Sequence, residues 1–117
     1  MKKTRVILSS DATKIYNDLK RKAPESKVDR TILTAIRKKI DLIKSDPHYG
    51  DPIAKDLIPR FYINKYGIKN LFRVELPNYW TMLYSLKDGE TEAEIIAFVL
   101  DLTDHPAYNK KFRYKKR

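Results

Sequence analysis

The chain has 117 residues, enough to enclose one hydrophobic core, and a formal net charge of +10 without a single cysteine. The missing thiols exclude disulfides, thiolate metal sites and a cysteine nucleophile. A charged fraction of 34% weighted to Lys and Arg points to a polyanionic partner, whether nucleic acid, ribosome, membrane surface or acidic protein, and no run approaches the length of a membrane span.

The charge is unevenly distributed. Residues 86–104 hold one lysine against six carboxylates, a net of −5, whereas residues 12–45 hold ten cations against four acids, a net of +6. Such segregation favours a directed surface, although a surplus of Lys, Arg and Glu also suits a heat-adapted protein. Residues 1–5 are basic, but Val6-Ile7-Leu8 is too short an apolar run for a signal peptide, so a cytoplasmic location is expected.

In chain order, residues 5–9 (Arg-Val-Ile-Leu-Ser) predict a short strand. Ser10 or Asp11 is placed to cap a helix whose apolar positions are Ile15, Tyr16, Leu19 and Ala23, ended by Pro24. Ser26 is placed to cap a longer helix with Val28, Ile32, Ala35, Ile36, Ile40 and Ile43 on one face, ended at Asp46-Pro47. Its polar face carries Arg37, Lys38 and Lys39, a pattern shared by solvated helices and by surfaces that lie on a phosphate backbone. Gly50-Asp51-Pro52 reads as a loop. Around Leu57-Ile58 and Phe61-Tyr62-Ile63, Pro59 restricts any strand to a sheet edge.

The period then changes. Residues 71–76 (Leu-Phe-Arg-Val-Glu-Leu) alternate apolar and charged, as a half-buried strand does. Pro77-Asn78 turns the chain, residues 80–86 predict the next strand, and Asp88-Gly89 signals a tight hairpin. Residues 94–102 are nearly continuously apolar, which fits a strand covered on both faces. The expected architecture is α+β: an N-terminal strand and a two-helix hairpin packed on an antiparallel sheet of about four strands, all in a single domain spanning residues 1–117.

After the last strand come Asp104-His105-Pro106-Ala107-Tyr108 and a tail, about residues 107–117, with six cations, three aromatics and no acid. Histidine moves protons near neutral pH, cations neutralise phosphate, and aromatic faces stack on unpaired bases. Tyr108, Phe112 and Tyr114 also suit a simpler role, pinning the tail to the sheet, with Phe112 as the anchor. His48, Trp80, Tyr84 and Phe98 read as structural, and Arg73 with Glu75 equally fits the solvent side of an ordinary strand.

The element order and three segments resemble the RelE/ParE toxin superfamily. These are residues 70–76 (Asn-Leu-Phe-Arg-Val-Glu-Leu), residues 79–86 (Tyr-Trp-Thr-Met-Leu-Tyr-Ser-Leu) and residues 96–108 (Ile-Ala-Phe-Val-Leu-Asp-Leu-Thr-Asp-His-Pro-Ala-Tyr). The resemblance implies an mRNA-cleaving toxin acting in the ribosome, silenced by a cognate antitoxin in a hetero-oligomer, with no metal or cofactor and no membrane partner. It implies catalytic roles for Arg73, His105, Tyr108 and Lys111, and Glu75 joins the set as a candidate base because it projects from the same strand face as Arg73. RNA contacts are expected from Arg37, Lys38, Lys110, Arg113, Lys115, Lys116 and Arg117. The chain departs from the family pattern at Thr81, often arginine in active members, and at Glu75, another basic position. Two other functions fit the residues: a non-catalytic toxin that binds a protein target, as ParE-like toxins bind gyrase, and a plain RNA-binding protein.

Overall fold

The computed structural model describes residues 2–112. It comprises β1 (Lys3–Leu8), α1 (Ser10–Lys22), α2 (Lys27–Ser45), β2 (Asp51–Pro52), α3 (Arg60–Tyr66), β3 (Phe72–Leu76), β4 (Trp80–Asp88), β5 (Glu94–Thr103) and α4 (His105–Phe112). The fold of the described residues is α+β, with four α-helices and one five-stranded sheet. Among the described residues no helix is long and apolar enough to cross a membrane.

Both long helices begin at a serine. Ser9, rather than Ser10 or Asp11, caps α1: its Oγ accepts from the Ala12 amide at 3.0 Å and donates to the Leu100 carbonyl at 3.0 Å. One hydroxyl therefore starts the helix and fastens that start to β5. Ser26 caps α2 through the Asp29 amide at 3.2 Å. The apolar faces pack as their spacing implies, except that Val28, in the first turn of α2, is 52% exposed.

The sheet runs β1-β5-β4-β3-β2 and is mixed, not antiparallel throughout. β1 lies parallel to β5, with Lys3 opposite Glu94 and Leu8 opposite Val99. The remaining ladders are antiparallel. A parallel partner needs a long crossover, and the whole chain between β1 and β5 supplies it. The fifth strand is the two-residue β2, inside the expected Gly50-Asp51-Pro52 loop; Pro52 is tolerated because β2 lies at the edge. The Asp88-Gly89 hairpin is also wider than a two-residue turn, with residues 89–93 joining β4 to β5.

The two faces of the sheet carry separate cores. On one, α1 and α2 bury Leu19, Ile32, Ile36 and Ile43 against Phe72, Val74, Met82, Tyr84, Val99 and Leu102. On the other, Ile58, Tyr62, Leu71, Leu83 and Leu100 form a smaller core flanked by Tyr66, Phe98, Tyr108 and Phe112. Strict alternation along β4 explains the division: Met82 and Tyr84 face the helical hairpin, and Leu83 faces away.

Two segments differ from expectation on that second face. The residues after Pro59 form α3 rather than an edge strand. Tyr62 and Tyr66, four residues apart, meet the sheet from one face of this helix, and Ile58 joins them from the extended segment before it. Gly67, at φ 64°, ends this helix in the left-handed region, its amide donating to the Ile63 carbonyl. The start of the basic tail is likewise ordered, as α4. Phe112 is an anchor as expected, stacked on Tyr108 at 4.2 Å and tilted against Tyr62 at 6.4 Å.

Gly50 sits where backbone and side chains converge beneath β3. A Cβ there would lie 2.9 Å from the Tyr84 ring and 3.1 Å from both the Arg73 carbonyl and a Val74 methyl. The Gly50 amide also donates to the Tyr84 hydroxyl at 2.9 Å, and that hydroxyl donates to the Pro47 carbonyl at 2.7 Å. Gly50→Ala is expected to cost about 1–3 kcal/mol in urea unfolding, the range for overpacking a filled core. The displaced backbone is that of Arg73.

Candidate functional site

Phe72, Val74 and Leu76 are buried under the helical hairpin, so Arg73 and Glu75 stand on the opposite face of β3. Arg73 Nη2 donates to Glu75 Oε2 at 3.2 Å, with the Glu75 side chain 75% exposed. At that exposure the pair adds little stability. Its effect is to orient the guanidinium, which also lies over the Tyr108 ring at 5.6 Å. Arg73 Nε is buried and has no hydrogen-bond partner. Across the ladder from Glu75 is Thr81, buried, with Thr103 on its other side.

The second wall comes from α4. Asp104 caps this helix, its Oδ1 accepting from the Ala107 amide at 3.0 Å and its carbonyl from the Tyr108 amide at 2.9 Å. His105 therefore lies in the first turn with Tyr108 one turn on. Asn109 Nδ2 is 3.0 Å from His105 Nε2, a contact that orients the imidazole.

The third wall is the turn at Pro77–Tyr79 between β3 and β4. Asn78 and Tyr79 both have left-handed backbone, at φ 59° and 63°. The Tyr79 side chain projects outward, and its ring lies 5.8 Å from that of His105 at 54°. Together these elements enclose an open cavity of about 720 Å³ lined by Arg73, Glu75, Thr81, His105 and Tyr108, with Tyr79 and Asn109 at its wall.

Arg73, Glu75, His105 and Tyr108 are thus brought to one cavity; Lys111 is not. Its ammonium donates to Asp101 Oδ2 at 2.8 Å, and the Tyr62 hydroxyl donates to the same oxygen at 2.5 Å. The Asp101 side chain is 7% exposed. Burial, reinforced by the Asp101 carboxylate, pushes the Tyr62 phenol far above its ordinary value, so it remains a donor. This triad, buried at Asp101 and Tyr62, ties α4 to α3 and β5, which makes Lys111 a support for the wall that carries His105.

Two of the expected RNA-binding cations, Arg37 and Lys38, do not share a surface with the cavity. Arg37 and Lys38 lie on α2, across the sheet, where Arg37 Nε donates to the Tyr16 hydroxyl at 3.0 Å. Lys110 is exposed on α4. Arg113, Lys115, Lys116 and Arg117 lie outside the described residues. His48 packs edge-on against Phe72 at 5.7 Å, in keeping with a structural role.

Tyr79, Asn109 and Asp101 carry parts of this arrangement that sequence reasoning did not single out. An aromatic directly after Pro77-Asn78 was the available sign for Tyr79. For Asp101, the sign was an acid inside an otherwise apolar strand.

The cavity combines a permanent cation, a carboxylate, an imidazole and aromatic faces. These groups can take up a proton, deliver one, and stabilise negative charge on an oxyanion. Among the described residues, no group of three or more His, Cys, Asp or Glu side chains is placed to hold a metal ion. No family model, curated protein or solved structure matches the chain.

Proposed function

We propose that the protein is a RelE-like toxin that cleaves mRNA in the ribosome, and that a cognate antitoxin silences it. The observation that carries this reading is the convergence of Arg73, Glu75, His105 and Tyr108, from two separate elements, on one cavity. In the proposed reaction, a base takes the proton of a ribose 2′-OH. The 2′ oxygen bonds to the adjacent phosphorus, the P–O5′ bond breaks, and an acid protonates the departing 5′ oxygen. The products are a 2′,3′-cyclic phosphate and a 5′-hydroxyl. Glu75 and His105 are the proton carriers of the cavity, and Arg73 offers donors to the phosphorane oxygens. Tyr108, beneath the guanidinium, holds that cation in place.

Primer extension on cellular mRNA after induced expression tests this. Cuts within translated codons that disappear in His105→Ala are the expected result. Intact mRNA under wild-type expression would overturn the reading.

A second reading has its own support. Thr81 is neutral and buried, and Glu75 offsets the charge of Arg73, so the cavity holds less positive potential than a dedicated phosphate clamp. Growth arrest with intact mRNA would favour a non-catalytic toxin that binds a protein target.

A further inference from the structure

We infer that Tyr79 is the base-binding wall of the cavity, the surface on which an unpaired nucleobase of the RNA stacks while Arg73 engages its phosphate. This rests on the RNA-cleaving function proposed above and assigns the base-recognition part of that site.

Three observations carry it. First, Tyr79 is 79% exposed and belongs to neither hydrophobic core. Folding alone gains little from placing an aromatic ring there. Second, its backbone is left-handed at φ 63°, a conformation that bulky L residues adopt at a cost and that Gly or Asn would hold with less strain. Such outliers cluster at functional sites because surrounding structure must hold them there. Third, the ring lies 5.8 Å from that of His105 and lines the same cavity as Arg73, whose side chain is about a third exposed. An aromatic face and a guanidinium on the walls of one cavity match the two halves of a nucleotide: a π surface for the base and a cationic donor for the phosphate. Stacking accepts any base, so Tyr79 would contribute affinity and position more than sequence choice.

The left-handed backbone makes the test discriminating. Tyr79→Asn removes the ring and relieves the strain; Tyr79→Trp keeps a stacking face. The probe is a short single-stranded RNA, 2′-O-methylated to prevent cleavage and carrying 2-aminopurine at successive positions.

Wild type and Tyr79→Trp are expected to bind it and quench one position. Tyr79→Asn is expected to bind about 5- to 150-fold more weakly, the span of a lost base–aromatic stack. Its quench should be lost, and its melting temperature should equal or exceed that of wild type. A ring that served only the fold would instead lower the melting temperature and leave affinity unchanged.

Undiminished affinity and quenching in Tyr79→Asn would overturn the assignment and leave the RNA reading standing. Failure of wild type to bind the probe would also overturn it, and uncut cellular mRNA would then remove the RNA reading as well.

Discussion

Arg73→Ala is expected to slow RNA cleavage by about 10²–10³-fold, the effect of losing one preorganised donor to a developing oxyanion. Among the described residues Arg73 is the only permanent cation lining the cavity, so none of them takes over its charge. The loss should fall on the single-turnover rate more than on RNA affinity, because the phosphorane carries more charge than the starting phosphate. Thermal unfolding should change little, since the ion pair to Glu75 is exposed and weak. Arg73→Lys should recover only part of the rate, because an ammonium replaces the charge but not the planar fork. Glu75→Gln separates two roles for the carboxylate. If Glu75 is the general base, this change costs about 10²–10⁴-fold. If it only restrains Arg73, removing its charge leaves the rate intact or raises it. Cleavage unchanged in Arg73→Ala would overturn its assigned role.

Alternation in the sequence was enough to place Arg73 and Glu75 together, because a half-buried strand fixes which residues share a face. The helical hairpin was legible for a similar reason, with apolar residues at three and four spacing between Ser, Asp and Pro boundaries. What failed to show was long-range or local in a misleading way. The parallel pairing of β1 with β5 leaves no mark on either strand's own pattern. The α3 segment is rich in aromatics and Ile, which favour strands, and tertiary burial of Tyr62 and Tyr66 overrode that preference. In α4 the positive charge hid an Asp104 cap and a Tyr108–Phe112 pair four residues apart, both visible once read as helix signals. The family resemblance alone puts Lys111 among the site residues. One helical position was enough to turn it toward Asp101 instead.

The second large effect concerns Lys111. Lys111→Met leaves the Asp101 carboxylate buried with Tyr62 as its remaining partner, and is expected to cost about 3 kcal/mol in urea unfolding. That figure is at the low end for breaking a buried pair because the Lys111 side chain is about a third exposed, at 32%. Asp101→Ala should cost a similar amount, since it strands the Tyr62 hydroxyl and leaves a gap in the smaller core. Replacing all three groups together, as Tyr62→Phe, Asp101→Leu and Lys111→Met, removes the unpaired polar atoms and should restore stability to within about 1 kcal/mol of wild type. The triple variant also decides what Lys111 does. A catalytic Lys111 would leave it stable and inactive. A Lys111 that supports α4 leaves it stable and able to cleave RNA, because His105 and Tyr108 are still held against Arg73. The geometry predicts the second outcome: the ammonium is spent on a carboxylate in the core between α3 and α4, and the cavity keeps its walls as long as something holds that helix down.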